Sequence, residues 1–385
     1  MQDPQSVARE LAPLIRSHRR RTEAERRLAE PIVEQLRETR LCRMALEADL
    51  GGLETPPIEL LRVHEELAAA EASASWIVWN ASLVCFFARF LEPSARKEVF
   101  ANPRWLYAQS TRPTGRAEAT GDGYRVHGRW SLLSGCELAD WLMLHCALEE
   151  RGEPAMDALG RPSTRFVFVP RSEVEILDTW HVGGLRGTGS HDVVVEGSVV
   201  RDAHSLSPFE PVTKGAHPMA RVAIMPVLSA AFAAQTLGLA RACWEHVFER
   251  AQTEEPVGPS AGLRDRPDAL LELALLRSGI DAARSHLYQR IGALWEAARA
   301  GDPAPLDLRG RAFAASLNTQ HLARRCVDST YALGGTRSLY EDDPIERAHR
   351  DLHAMLRHVV AQTSWSEDAS RVSLGSEPVN PLFAV

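Results

Sequence analysis

The chain has no Cys-x-x-Cys pair and no cysteine spacing of the metal-binding kind; Cys42, Cys85, Cys136, Cys146, Cys243 and Cys326 stand apart, mostly in apolar surroundings. That argues against a thiolate metal centre and predicts buried thiols in a reducing compartment. A continuous run of about 18 apolar residues is also missing, and the N-terminal Met-Gln-Asp-Pro-Gln-Ser lacks a basic stretch followed by an apolar one. The expectation is a cytoplasmic protein with no membrane partner. Nor does one sign of charge dominate, with 44 Lys+Arg against 51 Asp+Glu, so no polyanion partner is implied and nucleic acid is set aside. The bases are nearly all arginine, which suits phosphate and carboxylate recognition and equally follows from a GC-rich genome.

What is present changes character along the chain. Residues 4 to 47 repeat apolar positions at helical spacing, Leu60 to Ala70 and Ala74 to Phe90 read as two further helices, and the second of these is apolar nearly all round, hence buried. From Trp105 short runs rich in β-branched and aromatic residues follow, separated by Gly, Pro and Asp: Trp105 to Tyr107, Tyr124 to Val126, Trp130 to Leu133, Trp141 to Cys146, Arg165 to Val169, Val174 to Ile176 and Val193 to Val195. They predict a compact antiparallel β domain. Helical patterns then return over Met225 to Gln252, Asp268 to Ala300, Leu308 to Leu333 and Ile345 to Val360, with loops over Thr253 to Arg266 and Gly301 to Leu306. The predicted class is α+β, mostly α: an N-terminal helical domain (1–104), a middle β-barrel or sandwich (105–215), and a C-terminal four-helix bundle ending in an irregular tail (216–385).

The last quarter is the richest in chemistry. Gly334-Gly335 ends a helix, an acidic loop follows, and a Pro344-started segment carries Arg347, Arg350, Asp351, His353 and His358. His353 and His358 are five apart, about 140° around a helix, so they cannot ligate one ion together. No metal is expected there, and a single functional histidine is the better reading.

Three motifs, in this order, resemble the acyl-CoA dehydrogenase fold over nearly the whole chain. They are Gly128-Arg-Trp130-Ser-Leu-Leu-Ser134-Gly135, the turn Trp180-His-Val-Gly-Gly-Leu-Arg186-Gly-Thr-Gly-Ser190, and Gly334-Gly335 followed by Arg347 and Arg350-Asp351. The dehydrogenases commonly place a catalytic Glu about nine residues after the Arg of Arg-Asp, where it removes an α-proton. That position here is Val359, preceded by His358. With a histidine there, the chain resembles the flavin-dependent monooxygenases of this fold, the oxygenase components of two-component systems such as hydroxyphenylacetate and steroid-phenol hydroxylases.

The resemblance implies reduced flavin (FADH2 or FMNH2) from a separate reductase, O2, and hydroxylation of an aromatic or heteroaromatic substrate through a flavin C4a-hydroperoxide. An acyl-CoA dehydrogenase with a relocated base and an N-oxygenase remain as alternatives. Ser134 would hold the flavin N5 edge, and Gly135 would turn the chain beside it. His358 would steer a proton with a pKa near 6.5, and Arg186 would stabilise reduced anionic flavin. Gln109, Ser110 and Thr111 would contact the pyrimidine ring. Trp130 either covers the isoalloxazine or fills the β core. Arg264 and Arg266 would reach a neighbouring subunit's flavin phosphate in a homotetramer, and Gly334 and Gly335 belong to the cofactor-associated pattern. The helix that holds Trp79, Phe86 and Phe87 has no histidine, so these three would line an apolar substrate pocket.

Overall fold

The computed structural model describes residues 3–156, 160–207, 209, 217–253, 262–302 and 304–385. Most of the expected 253–266 loop, and the expected boundary at 215/216, lie outside the described residues. The chain starts in α1 (Pro4–Ser17), where Asp3 caps the Ser6 amide at 2.9 Å. It continues through α2 (Arg19–Glu25), α3 (Glu30–Thr39), α4 (Pro57–Ala70), α5 (Ala72–Phe87) and α6 (Pro93–Val99). Every residue of α5 is buried, as an all-apolar helix must be.

The middle layer is one sheet built from β1 (Tyr107–Ala119), β2 (Gly123–Leu133), β3 (Trp141–Glu150), β4 (Glu153–Pro154), β5 (Thr164–Pro170), β6 (Glu175–Leu177), β7 (His191–Arg201) and β8 (Ser205–Leu206). Its order is β6-β7-β2-β1-β3-β5-β8, with β4 on β3. Two expected short runs merge into β2, whose register against β7 shifts between Val126 and His127. The expectation of purely antiparallel pairing needs one correction, because β1 and β3 are parallel. β2 returns antiparallel to β1, and the 134–140 segment then crosses the start of β1 so that β3 enters on its other side in the same direction. That crossover is pinned where the Asp140 amide donates to the Leu106 carbonyl at 2.8 Å and Arg37 of α3 donates to the Asp140 carboxylate at 2.9 Å.

Beyond the sheet come α7 (Ile224–Thr253), α8 (Pro267–Ala300), α9 (Leu306–Gly334), α10 (Pro344–Met355) and α11 (Ser364–Ser373). α7 packs against α4, α8 and α9, and its most apolar stretch is 94% buried, which makes it the bundle's core helix. α10 is shorter than the expected Ile345 to Val360 helix. It ends at Met355, and His358 is extended (φ −70°, ψ 148°) at the start of a short 3-10 turn. All six cysteines are free and buried, and burial pushes the thiols of Cys42, Cys85, Cys136, Cys146 and Cys326 up to about 12.

Candidate active site

The break after Met355 turns His358 inward, onto an aromatic cluster. Its ring lies 5.4 Å from Trp76 and 5.2 Å from Trp79, edge-on to both, and stacks at 6.1 Å on Phe232 of α7. Nδ1 accepts the Val360 amide at 3.3 Å, so in the neutral ring the proton sits on Nε2. Burial, and then the charge of Arg112, lower its pKa from 6.5 to about 4. This corrects the expected value near 6.5: among aromatic rings the charged form loses its hydration. His358 is therefore a neutral Nε2–H donor at physiological pH.

Trp76 joins this cluster to Ser134. Its Nε1–H donates to Ser134 Oγ at 2.8 Å; Ser134 Oγ lies 2.8 Å from Ser190 Oγ, and Ser190 Oγ 2.7 Å from Thr188 Oγ1. Thr188 in turn donates to the Leu185 carbonyl at 2.8 Å. With that last proton committed, the chain runs one way: Ser190 donates to Thr188, and Ser134 donates to Ser190. Ser134, having accepted from Trp76, keeps one lone pair free for an N–H donor. Gly135 follows at φ +74°, where an added Cβ would lie 2.9 Å from Ile77, so glycine is required at that turn.

Across from Ser134, Gln109 and Ser110 of β1 are buried. Gln109 donates to Asn80 at 2.9 Å, and Asn80 donates to the Trp76 carbonyl at 3.0 Å. Gln109 Oε1 is buried and has no hydrogen-bond partner among the described residues, which leaves it an unused acceptor. The side chain of Thr111 is exposed, and its carbonyl takes a 2.8 Å bond from His145.

The loop that carries Thr188 and Ser190 is held from behind by α10. The Leu185 amide donates to Asp351 at 2.6 Å, Arg350 donates to the Gly183 carbonyl and to Glu23 at 2.7 Å, and Arg347 pairs with Glu23 at 3.1 Å. Gly184 is obligatory, since a Cβ would lie 2.3 Å from the Arg350 carbonyl oxygen. Burial, and then Glu71's negative charge, raise the Asp351 pKa. The Arg-Asp motif thus positions the loop.

Trp79 is in the His358 cluster. Phe86 and Phe87 are core side chains about 15 Å further along α5 than Trp76 at 1.5 Å per residue; Phe87 packs on Phe90 and Phe166, and Phe86 lies under Arg89. Trp130 fills the β core, its Nε1 donating to the His145 carbonyl at 2.7 Å and its ring pressed on Gly115, where a Cβ would come within 1.8 Å. Fully buried among β-core side chains, it has no face with which to cover a bound ring. Arg186 lines a polar groove of about 690 Å³ with Arg20, Glu23, Tyr340 and Arg347, and its buried Nε has no partner among the described residues. Gly334 lies in the last turn of α9, and Gly335 (φ +60°) follows it. Arg264 and Arg266 stand at the surface before α8, paired with Asp265 and Asp268. Trp76, Asn80, Thr188, Ser190 and Phe232 were not singled out from the sequence. An Asn four residues after a Trp in an otherwise apolar helix, and two hydroxyls within the Trp180–Ser190 turn, are the features that mark them in the sequence.

Comparison with known proteins bears on this site. The N-terminal domain model of the acyl-CoA dehydrogenases matches residues 5–101, and their C-terminal domain model matches residues 230–363. The FADH(2)-dependent resorcinol hydroxylase, oxygenase component, of a Rhizobium species is 30% identical over 96% of this chain and 93% of its own length. Indole-3-acetate monooxygenase of Pseudomonas putida is 27% identical over 92% of this chain and 89% of its own. XiaF from a Streptomyces species, solved in complex with FADH2 and glycerol, superposes with a TM-score of 0.89 at 25% identity, covering 98% of this chain and 96% of that one.

Proposed function

This chain belongs to the acyl-CoA dehydrogenase family, among its flavin-dependent monooxygenase oxygenase components, and we propose that it hydroxylates an aromatic or heteroaromatic substrate with O2 and reduced flavin supplied by a separate reductase. The observation that carries the reading is the line His358–Trp76–Ser134, a neutral imidazole and an acceptor hydroxyl bridged by one indole. The charge acting on His358 is Arg112, a cation, where proton abstraction from a thioester would call for a carboxylate.

The residues present fit a reduced flavin. Bound there, it supplies the two electrons that activate dioxygen. Ser134 has its free lone pair for the N5–H, and an oxidised ring, which lacks that hydrogen, would find no donor in a hydroxyl committed to Ser190. Gln109 Oε1 offers an acceptor to a ring N–H, with Ser110 beside it. Trp76, Trp79 and Phe232 pack around the half-buried His358 ring and fix its orientation, and its Nε2–H would donate to the oxygen being transferred or to the substrate. Their aromatic faces suit a planar, largely apolar acceptor, in keeping with relatives named for resorcinol and indole-3-acetate.

The same reading makes the protein a cytoplasmic homotetramer in which Arg264 and Arg266 reach a neighbour's flavin phosphate, with Gly334 and Gly335 near the cofactor. The test is anaerobic titration with photoreduced FAD and FMN, followed by oxygen in the presence of a panel of phenols and indoles. Hydroxylated product coupled to oxygen uptake supports the reading. No affinity for either reduced flavin, or dye reduction with an acyl-CoA instead, overturns it.

A further inference from the structure

Away from the Ser134–His358 site, three side chains converge between α9 and α10. His349 and His353, four residues apart, share one face of α10, and Asp328 faces them from α9. Both imidazoles aim Nε2 at the same carboxylate oxygen: His353 at 2.7 Å and His349 at 3.4 Å from Asp328 Oδ1. The three ligand atoms lie within 4.8 Å of one another, and all three residues are half-buried, open to water on one side. Tyr331 stacks on His349 at 4.4 Å and fixes that ring, while the other Asp328 oxygen is engaged by Arg324 at 3.5 Å.

A tetrahedral ion bound at about 2.0–2.1 Å separates its ligands by roughly 3.3 Å; the His349 spacing of 3.4 Å already matches, and the 2.7 Å His353 hydrogen bond would open by about half an ångström to admit the ion. Two imidazoles and one carboxylate suit Zn2+ and its first-row neighbours and suit Mg2+ or Ca2+ poorly. We propose that Asp328, His349 and His353 form a site for a divalent transition-metal ion of the Zn2+ class, clamping α10 to α9. Asp351, on the opposite face of α10, and Arg350, on its flank, hold the loop bearing Thr188 and Ser190, so a clamp on the His349/His353 face braces that loop through the helix.

The test uses tag-free full-length protein, treated with chelator and titrated calorimetrically without flavin, so that its outcome is separate from that of the flavin reading. About one Zn2+ should bind per chain, Mg2+ should not bind, and the Tm should rise with Zn2+. His349→Ala and His353→Ala should each weaken Zn2+ binding by at least about tenfold and abolish the Tm rise. Should an alanine variant fail to fold, His349→Gln serves in its place. Absence of Zn2+ binding, or binding unchanged by these substitutions, overturns the proposal.

Discussion

Trp76 Nε1 lies 2.8 Å from Ser134 Oγ, tying the buried helix α5 to the crossover between β2 and β3. The same indole borders His358, so one side chain touches both residues assigned to the reaction.

Ser134→Ala should weaken reduced-flavin binding by about tenfold, the equivalent of about 1.4 kcal/mol for one hydrogen bond, and change oxidised-flavin binding less. Anaerobic fluorescence titration of both redox states measures it. Equal losses for the two states would mean that Ser134 is not a one-way acceptor.

His358→Ala should leave reduced-flavin binding within about twofold, the level expected of a residue outside the cofactor's hydrogen bonds, and divert most of the oxygen consumed into hydrogen peroxide. The comparison is product against peroxide per oxygen consumed. An unchanged product yield would remove His358 from the mechanism.

The depressed pKa of His358 also has a stability consequence. The folded value is about 4 against 6.5 for the free group, so its contribution is complete above pH 6.5 and is lost as pH falls towards 4. His64, lowered by burial to about 3, acts in the same direction. The raised carboxyls of Asp351 and Glu71 act with the opposite sign but alike in both proteins, so the urea midpoint of the wild type should fall relative to that of His358→Gln as pH drops from 7 to 4. A wild type and a variant with superimposable acid profiles would contradict the neutral, enclosed imidazole.

Asp351→Asn should cost less than about 1 kcal/mol, because the amide oxygen still accepts the Leu185 N–H and burial already disfavours the charge. Asp351→Ala orphans that buried amide and should cost about 2–3 kcal/mol. Denaturant unfolding of both variants decides it, and equal destabilisation would mean that the negative charge itself holds the loop.

Much of this was legible in the residues because it is local. The apolar periodicity of α5 and α7, the Gly-rich turn around Arg186 and the Gly-Gly stop of α9 all declare themselves within a few positions. What escaped depends on distant pairing. The Trp76–Ser134 bond spans 58 positions, and no spacing rule announces it. The parallel pairing of β1 and β3 follows from a crossover whose path is set by Asp140 and Leu106. Comparing His353 with His358 around one helix failed differently: α10 stops at Met355, so those two do not share a helix, whereas His349 and His353 do.

The crossover between β2 and β3 has a consequence for how such a protein diversifies. Ser134 sits on a strap bolted at its far end to α3 through Arg37 and, just ahead of β1, to the Leu106 carbonyl, whereas Trp79 rides on α5 and Phe232 on α7. Exchanging the aromatic neighbours for others of similar bulk would reshape what fits without shifting the hydroxyl. A lineage could therefore acquire new acceptors one side chain at a time while inheriting its oxygen chemistry intact.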